Sequence, residues 1–581
     1  MTINVHAALT IVMAAQLGAA LPPDSVEALR ESARDAEARF ERLSRWMAPL
    51  SWSSGAAYEC DEIVGRFCLR FDSTGARPES LGDEAARVID ARREAVESIR
   101  RYFAAAPHER SAAGPLVRLL IRDGRAGEAA SAAGAFAALS RDTLWGELLQ
   151  GLARHAAGEH DRAERHFIVA LHHLSGEERR TWLDPEWLLD PGERRRVRRL
   201  GESARSDYQR RFWLLADPFW LTPENERWNE HIARHVKARL LADVPTVTGM
   251  VSWGRDLDEL MVRYGSPTAH ARQAGAGLAG GGMVEYWDTA QRAFAPTALT
   301  NGVPQQPQPG ERPLLYAATA RSAYTMQRVG RVIELEHQVT RFLRGDSVVL
   351  RIDAALPCEA GAAPDAPPRA GVFVYDSAFT SRVQVNPPVR LVGDTARLTA
   401  FISTVPGPVV YSAEMLGDSL SNAGRARYAL NAHVPGAGPV ASDLLVSRPF
   451  PDADAPERLD DPRLRPFESL IFQPGDTLGV YAEVYRLDRA GPIEIEVALE
   501  SAERPSLLGR FANWIGRGLG LVEAGEDPRV GWRGEAADER YIVALNVPLP
   551  TDRDGLQDLV LRITDSGSGE VTESRRRILL R

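Results

Sequence analysis

Residues 212–267 read FWLLADPFWLTPENERWNEHIARHVKARLLADVPTVTGMVSWGRDLDELMVRYGSP, a Trp-dense stretch with helix-patterned sequence before it and strand-patterned sequence after it. Within it, Thr222 is placed to cap a helix and Pro223 to open it, since a proline lacks only a donor that the first turn leaves unused. Glu224 and Glu226 then fall where the helix dipole favours negative charge. Trp228, Ile232, Val236 and Leu240 recur at four-residue steps and form the face to be buried, while Glu230 and Arg234 are spaced as an ion pair. Capping, dipole and pairing therefore account for much of the polar cluster. The candidate binding residues are Asn225, Glu226, Glu230, His231, Trp253 and Asp256, of which Asn225, His231, Trp253 and Asp256 have no structural role legible in the pattern.

Before this stretch the chain is helical. Val26, Leu29, Ala33, Ala36, Phe40, Leu43 and Trp46 form one stripe, and Ala85, Ile89, Val96, Ile99 and Phe103 another. Between about 110 and 175, RDGRAGEA recurs as AAGEHDRA, so that Gly124 and Ala129 return as Gly158 and Ala163 at the tetratricopeptide period. The second copy has Gly151 and Phe167 where the first has Val117 and Ala133. Stacked hairpins of this type offer a concave surface, usually to protein partners.

After the stretch, residues 268–313 are rich in Gly and then Gln and Pro, a mobile loop or an insertion at a domain edge, interrupted by the apolar MVEYWDT. From Asp346 the apolar period becomes two: Val348, Leu350 and Ile352 alternate with Ser347, Val349 and Arg351. A Pro/Asp-rich linker follows, and beyond it Ile493, Ile495, Val497 and Leu499 mark a second antiparallel sandwich of immunoglobulin-like character. The expected fold is multidomain α+β: signal peptide 1–20, tetratricopeptide-like helices 21–205, a central mixed domain 206–340, a β-sandwich 341–448, a linker 449–466 and a second sandwich 467–581.

The 581 residues carry a net charge of −9, which gives no broad basic surface for nucleic acid. Residues 1–21 have an apolar core and small residues before a cut after Ala20, the pattern of an export signal, and no later stretch is apolar enough to span a bilayer. Export makes a Cys60–Cys68 disulfide the natural reading of CDEIVGRFC, with Cys358 left over as a buried thiol.

Explicit chemistry is sparse. His231 and His235 have the helical spacing at which two imidazoles share a metal, but Ile232 stands where a zinc peptidase carries its glutamate. Gly275, Gly277 and Gly280 match a dinucleotide glycine pattern without the strand and helix that give it meaning. There is no nucleophile elbow or phosphate loop. Trp213, Trp220, Trp228, Trp253 and Trp287 suit either a small-domain core or a carbohydrate or peptide groove. No catalytic residue, metal site or cofactor is assigned.

Asp217-Pro218, Thr222-Pro223, Asn225-Glu226, Glu230, Ser252-Trp253-Gly254-Arg255-Asp256 and Arg263-Tyr264-Gly265-Ser266-Pro267 together resemble the GWxTD domain of exported bacterial proteins, as do Tyr286-Trp287 and Arg341–Ser347 downstream. Ser252 and Arg255 depart from the namesake motif, and Trp253 and Asp256 keep it. The resemblance implies a periplasmic or cell-envelope location and carries over no catalytic residues. The reading is a non-catalytic envelope protein that associates with protein partners through helical repeats and β-sandwiches. The alternative is a metal-dependent enzyme, or a glycan- or peptide-binding protein, using the Glu/His-bearing central helix.

Overall fold

The computed structural model describes residues 23–47, 50–51, 62–65, 67–71, 84–189, 191–244, 253–265, 269–273, 284–288, 305–311, 332–358, 368–417, 423–433, 438–451, 455–487, 492–502, 529–535, 540–567 and 569–581. The expected signal peptide, Cys60 and the Gly275–Gly280 pattern lie outside these residues, as do the side chains of Cys68 and Trp287. The fold is α+β and multidomain, with a helical region followed by antiparallel sheets, and the chain divides into a mainly helical unit and a β unit. No helix among the described residues is long and apolar enough to cross a membrane.

The helical unit contains α1 (Pro23–Trp46), α2 (Ala86–Ala105), α3 (Arg110–Arg122), α4 (Ala126–Leu139), α5 (Thr143–Ala156), α6 (His160–His173), α7 (Gly176–Leu183), α8 (Pro191–Arg198), α9 (Glu202–Ala216), α10 (Glu226–Ala242) and α11 (Arg255–Tyr264). The pairs α3–α4 and α5–α6 are the two copies of the repeat, and both reverse at a glycine with positive φ, Gly124 at 72° and Gly158 at 74°. Glycine adopts that conformation without the Cβ clash that other residues incur. In the second hairpin a Cβ on Gly151 would lie 2.4 Å from Phe167, so the missing side chain is what lets the phenyl ring enter. Val117 and Ala133, at the equivalent positions of the first hairpin, are also fully buried, so bulk and space are exchanged between the two helices and the layer stays filled. Ile232, Ala233, Val236 and Leu240 of α10 belong to the same core as both hairpins, and Gly114 of α3 leaves room for Leu240.

The same unit holds a small mixed sheet of β1 (Leu50–Ser51), β2 (Glu62–Val64), β3 (Phe67–Phe71), β4 (Ala269–Gln273) and β5 (Val284–Asp288), in the order β1-β4-β5-β3-β2. Two of these strands come from the stretch read as a mobile loop, and MVEYWDT supplies β5.

In the β unit, β6 (Val332–Glu334), β7 (Glu336–Arg344), β8 (Ser347–Pro357), β9 (Arg369–Asp376), β10 (Arg382–Val385), β11 (Val389–Val392), β12 (Thr395–Thr404), β13 (Pro408–Leu416) and β14 (Ala423–Asn431) build the first sandwich. Its sheets run β10-β9-β13-β14-β6 and β11-β12-β8-β7. Leu350, Ile352, Ala354 and Leu356 of β8 oppose Ile402, Ala400, Leu398 and Ala396 of β12 on the core face, as a two-residue period requires. Phe219–Leu221 also belongs to this unit, with the Arg427 guanidinium 3.7 Å from the centre of the Trp220 ring and the Leu221 N–H donating to Glu414 at 2.9 Å.

The second sandwich comprises β15 (Val440–Ala441), β16 (Leu445–Ser447), β17 (Ile471–Phe472), β18 (Thr477–Tyr485), β19 (Pro492–Ser501), β20 (Arg529–Glu535), β21 (Arg540–Pro548), β22 (Gly555–Asp565) and β23 (Val571–Leu580). It takes its first strands from residues expected to end the previous domain, since β15 and β16 both pair with β18. The expected linker is packed rather than loose: Phe450, Leu459 and Leu464 are buried with Phe342, Leu445 and Tyr481. Gln338 imitates a neighbouring strand, its amide donating to Val446 and Phe467 carbonyls and accepting from the Val446 N–H.

The outer side of edge strand β7 is closed in the same manner. The His337 carbonyl accepts from Gln306 and the Val339 carbonyl from Arg576. Arg341 exchanges bonds with Asp443, and the Leu343 N–H donates to the Tyr485 hydroxyl. Gln305 bridges to Ala429 and Gln308 accepts from Arg577, so residues 305–308 of the Gln/Pro-rich stretch are held against the β unit.

Candidate functional site

Helix α10 begins later than the sequence suggests. Its N-cap is Asn225, whose side-chain oxygen accepts from the Trp228 N–H at 2.9 Å, while the Thr222 hydroxyl donates to the Glu224 carbonyl instead. Asn225 is further fixed from two sides: its amide donates to the Trp213 carbonyl and its backbone N–H to Glu164, both at 2.7 Å. The first turn is thereby tied to α9 and to α6.

Along α10, Glu226, Arg227, Asn229, Glu230, His231, Arg234 and His235 are all at most 8% exposed. Buried polar groups persist where they have partners, and Asn229, Glu230, His231 and Arg234 find theirs within the chain. Asn229 donates to the His160 carbonyl and to Glu164. Glu230 takes the expected bond from Arg234 at 2.5 Å, and Arg234 reaches on to the carbonyls of Val262 and Arg263 at the end of α11. Burial works against ionisation of Glu230, but the adjacent Arg234 charge outweighs it and holds the carboxyl well below its usual range. His155 lies 3.2 Å from Glu230 without hydrogen-bond alignment; burial lowers its pKa to about 3 and keeps it neutral.

The two histidines with metal spacing are packed as aromatic rings. His231 donates through Nε2 to the Trp182 carbonyl at 2.9 Å and lies 4.6 Å from the Trp213 ring. His235 meets it edge-on at 4.7 Å and is stacked on Trp182 at 5.2 Å. Burial first, then the neighbouring His235 ring and the Arg227 and Arg234 charges, pushes His231 far down, and burial with Arg239 lowers His235 to about 3. Among the described residues no three His, Cys, Asp or Glu side chains are disposed to hold a metal ion.

Trp253 and Asp256 are elsewhere, at the start of α11, whereas Arg234 grips its last residues roughly 10 Å further along the axis. The Trp253 indole donates to Asp258 at 2.8 Å and joins a small apolar cluster with Val64, Val244, Leu257 and Leu260. Asp256 accepts from the Leu257 N–H and packs on Gly65, where a Cβ would come within 2.4 Å of its own. The six candidates thus separate into an interior network on α10 and a packed corner at the start of α11. Of the tryptophans that suit either a core or a groove, Trp213 and Trp228 belong to the helical unit and Trp220 to the β unit.

His155, His160, Glu164 and Trp182, which complete the network, carry no mark of this role in the sequence. The one signal available in the sequence is that Trp182 and Trp187 lie shortly before the Trp-dense stretch.

No protein-family model matches the sequence, and no curated protein matches it. Among solved structures, a DUF4785 family protein from Legionella pneumophila is similar at 9% identity over 42% of this chain and 56% of that chain, with a TM-score of 0.14. A variant alpha-2-macroglobulin from Salmonella (12% identity, 45% of this chain, 17% of that one) has a TM-score of 0.14. The native form of E. coli alpha-2-macroglobulin (12% identity, 43% and 17%) has one of 0.15. TM-scores this low carry no inference about fold or function.

Proposed function

We propose that this is a non-catalytic exported protein of the cell envelope that associates with protein partners through its helical hairpins and β-sandwiches. The observation that supports it best is the interior placement of the α10 polar side chains, whose hydrogen bonds tie α6, α7, α9 and α11 together and present no open constellation for chemistry. Exposed apolar side chains of the hairpins lie on their second helices, with Ile168 and Val169 on α6 at 44% and 42% exposure and Leu139 at the end of α4. Adjacent exposed β-branched side chains on a helix suit a protein contact better than water.

Chemical cross-linking of the full chain in intact envelopes tests this. The expected result is a discrete heteromeric adduct that the pair Ile168→Glu and Val169→Glu diminishes severalfold without altering far-UV circular dichroism. An adduct pattern unaffected by the substitutions would contradict the role given to the hairpins, and an absence of adducts would contradict association altogether.

A further inference from the structure

The first sandwich is sealed along β7 but open on its opposite side. There β10 ends one sheet and β11 ends the other, the chain crossing between them through Asn386-Pro387-Pro388, and among the described residues neither strand has a neighbour on its outer side. Val383 of β10 opposes Val374, and Leu391 of β11 opposes Ala396. Directly opposed residues share a face, and Val374 and Ala396 belong to the core. Yet Val383 is 42% and Leu391 40% exposed. Two side chains aimed between the layers are therefore uncovered at this side.

The register also fixes which backbone groups are free. Val392 and Thr395 close the turn at Gly393-Asp394. A closing pair of a two-residue turn is hydrogen-bonded, so Arg390 bonds to Arg397, and the N–H and C=O groups of Val389 and Leu391 face outward. On the other face stand Arg382 and Arg390. The stretch RVQVNPPVRLV, 382–392, has no acidic residue, in a chain of net charge −9.

We propose that this side takes an extended segment of a partner protein as an added strand beside β11, with apolar side chains alternating with acidic ones. The inference rests on the association reading above and names a surface and a ligand chemistry for it. The added backbone pairs with Val389 and Leu391, its apolar side chains cover Val383 and Leu391, and its carboxylates face Arg390. A second copy of this chain fits poorly, because antiparallel pairing of Val389 with Leu391 sets Arg390 against its own counterpart, and like charges directly opposite are unfavourable.

The test measures fluorescence anisotropy of labelled peptides of about nine residues against the full chain. One peptide alternates Val and Glu, one alternates Val and Lys, and one has the Val/Glu composition in two blocks. The wild type is expected to bind the alternating Val/Glu peptide roughly tenfold more tightly than Val/Lys, and not to bind the block peptide. Arg390→Glu should invert the preference, and Leu391→Lys should abolish binding of both, with circular dichroism unchanged in each variant. Equal binding of all three peptides, or none, would overturn the proposal, as would a concentration-dependent dimer of the wild type that Leu391→Lys dissolves. Absent peptide binding with the envelope adducts retained removes this surface alone. Peptide binding without any adduct supports the surface and removes the broader reading.

Discussion

Glu230 sits beside Arg234 in the interior of the helical unit, an ionised carboxylate whose charge is matched one turn along its own helix. Around it, His155, His231 and His235 are neutral because burial disfavours the imidazolium. In the unfolded chain each would bind a proton near the ordinary value of about 6.5. Their folded values are lower, so their contribution to stability is complete above pH 6.5 and is lost as pH falls from there toward 3. Glu334 in the β unit has the opposite sign. Burial raises it to about 7 against the Tyr428 hydrogen bond and the Arg425 charge, so its contribution is complete below about 4.5 and is lost as pH rises through 7. Urea midpoints taken across pH 4 to 8 should show the helical unit weakening on the acid side. His235→Phe should flatten that slope, and an unchanged slope would contradict the assignment. Little of this was legible from residues alone. The spacing of His231 and His235 was visible, but the rings of Trp182 and Trp213 that claim the space around them are distant in sequence and meet them only in the fold.

The hairpins show why a repeat can be read while its occupant cannot. Gly124 and Gly158 announce two equivalent reversals, because positive φ restricts the residue type. The apparent decay of the first copy is a compensated exchange: Gly151 with Phe167 in one hairpin, Val117 with Ala133 in the other. Gly151→Ala should accordingly cost about 1–3 kcal/mol through overpacking, measurable as a lowered thermal midpoint, and Phe167→Leu should restore part of it in the double variant. A loss in the double variant equal to the sum of the single losses would contradict direct contact. What the period could not show is that α10 packs with both hairpins, because its Ile232, Val236 and Leu240 read as any amphipathic stripe would. The period-two strands were easier: β19 alternates as expected over Ile493–Val497, with Glu494, Glu496 and Glu500 paired to arginines on its outer face. By contrast, β8 alternates only at its start and is buried on both faces from Leu350 to Leu356, with Arg351 bonded to Asp353. Domain ends were harder, since Val440–Ser447 is two short strands whose allegiance is decided only by pairing with β18.

Across the protein, side-chain hydrogen bonding does the work that regular structure leaves undone. In the helical unit it gathers α6, α7, α9 and α11 around α10, and in the β unit it closes β7 with Asp443, Tyr485 and Arg576. The alternation of burial along a strand predicts sheets, but only named partners predict which edges are closed and which are open. The function of the helical unit therefore turns on whether the α10 network is interior structure or accessible chemistry. The most direct measurement is an NMR titration of the imidazole C–H signals of His155, His231 and His235 in the full chain between pH 7.5 and 4.5, with and without added zinc. All three are expected to stay at neutral positions throughout and to ignore the metal. Protonation of any of them near pH 6 to 7, or a shift of His231 and His235 on adding zinc, would contradict the account.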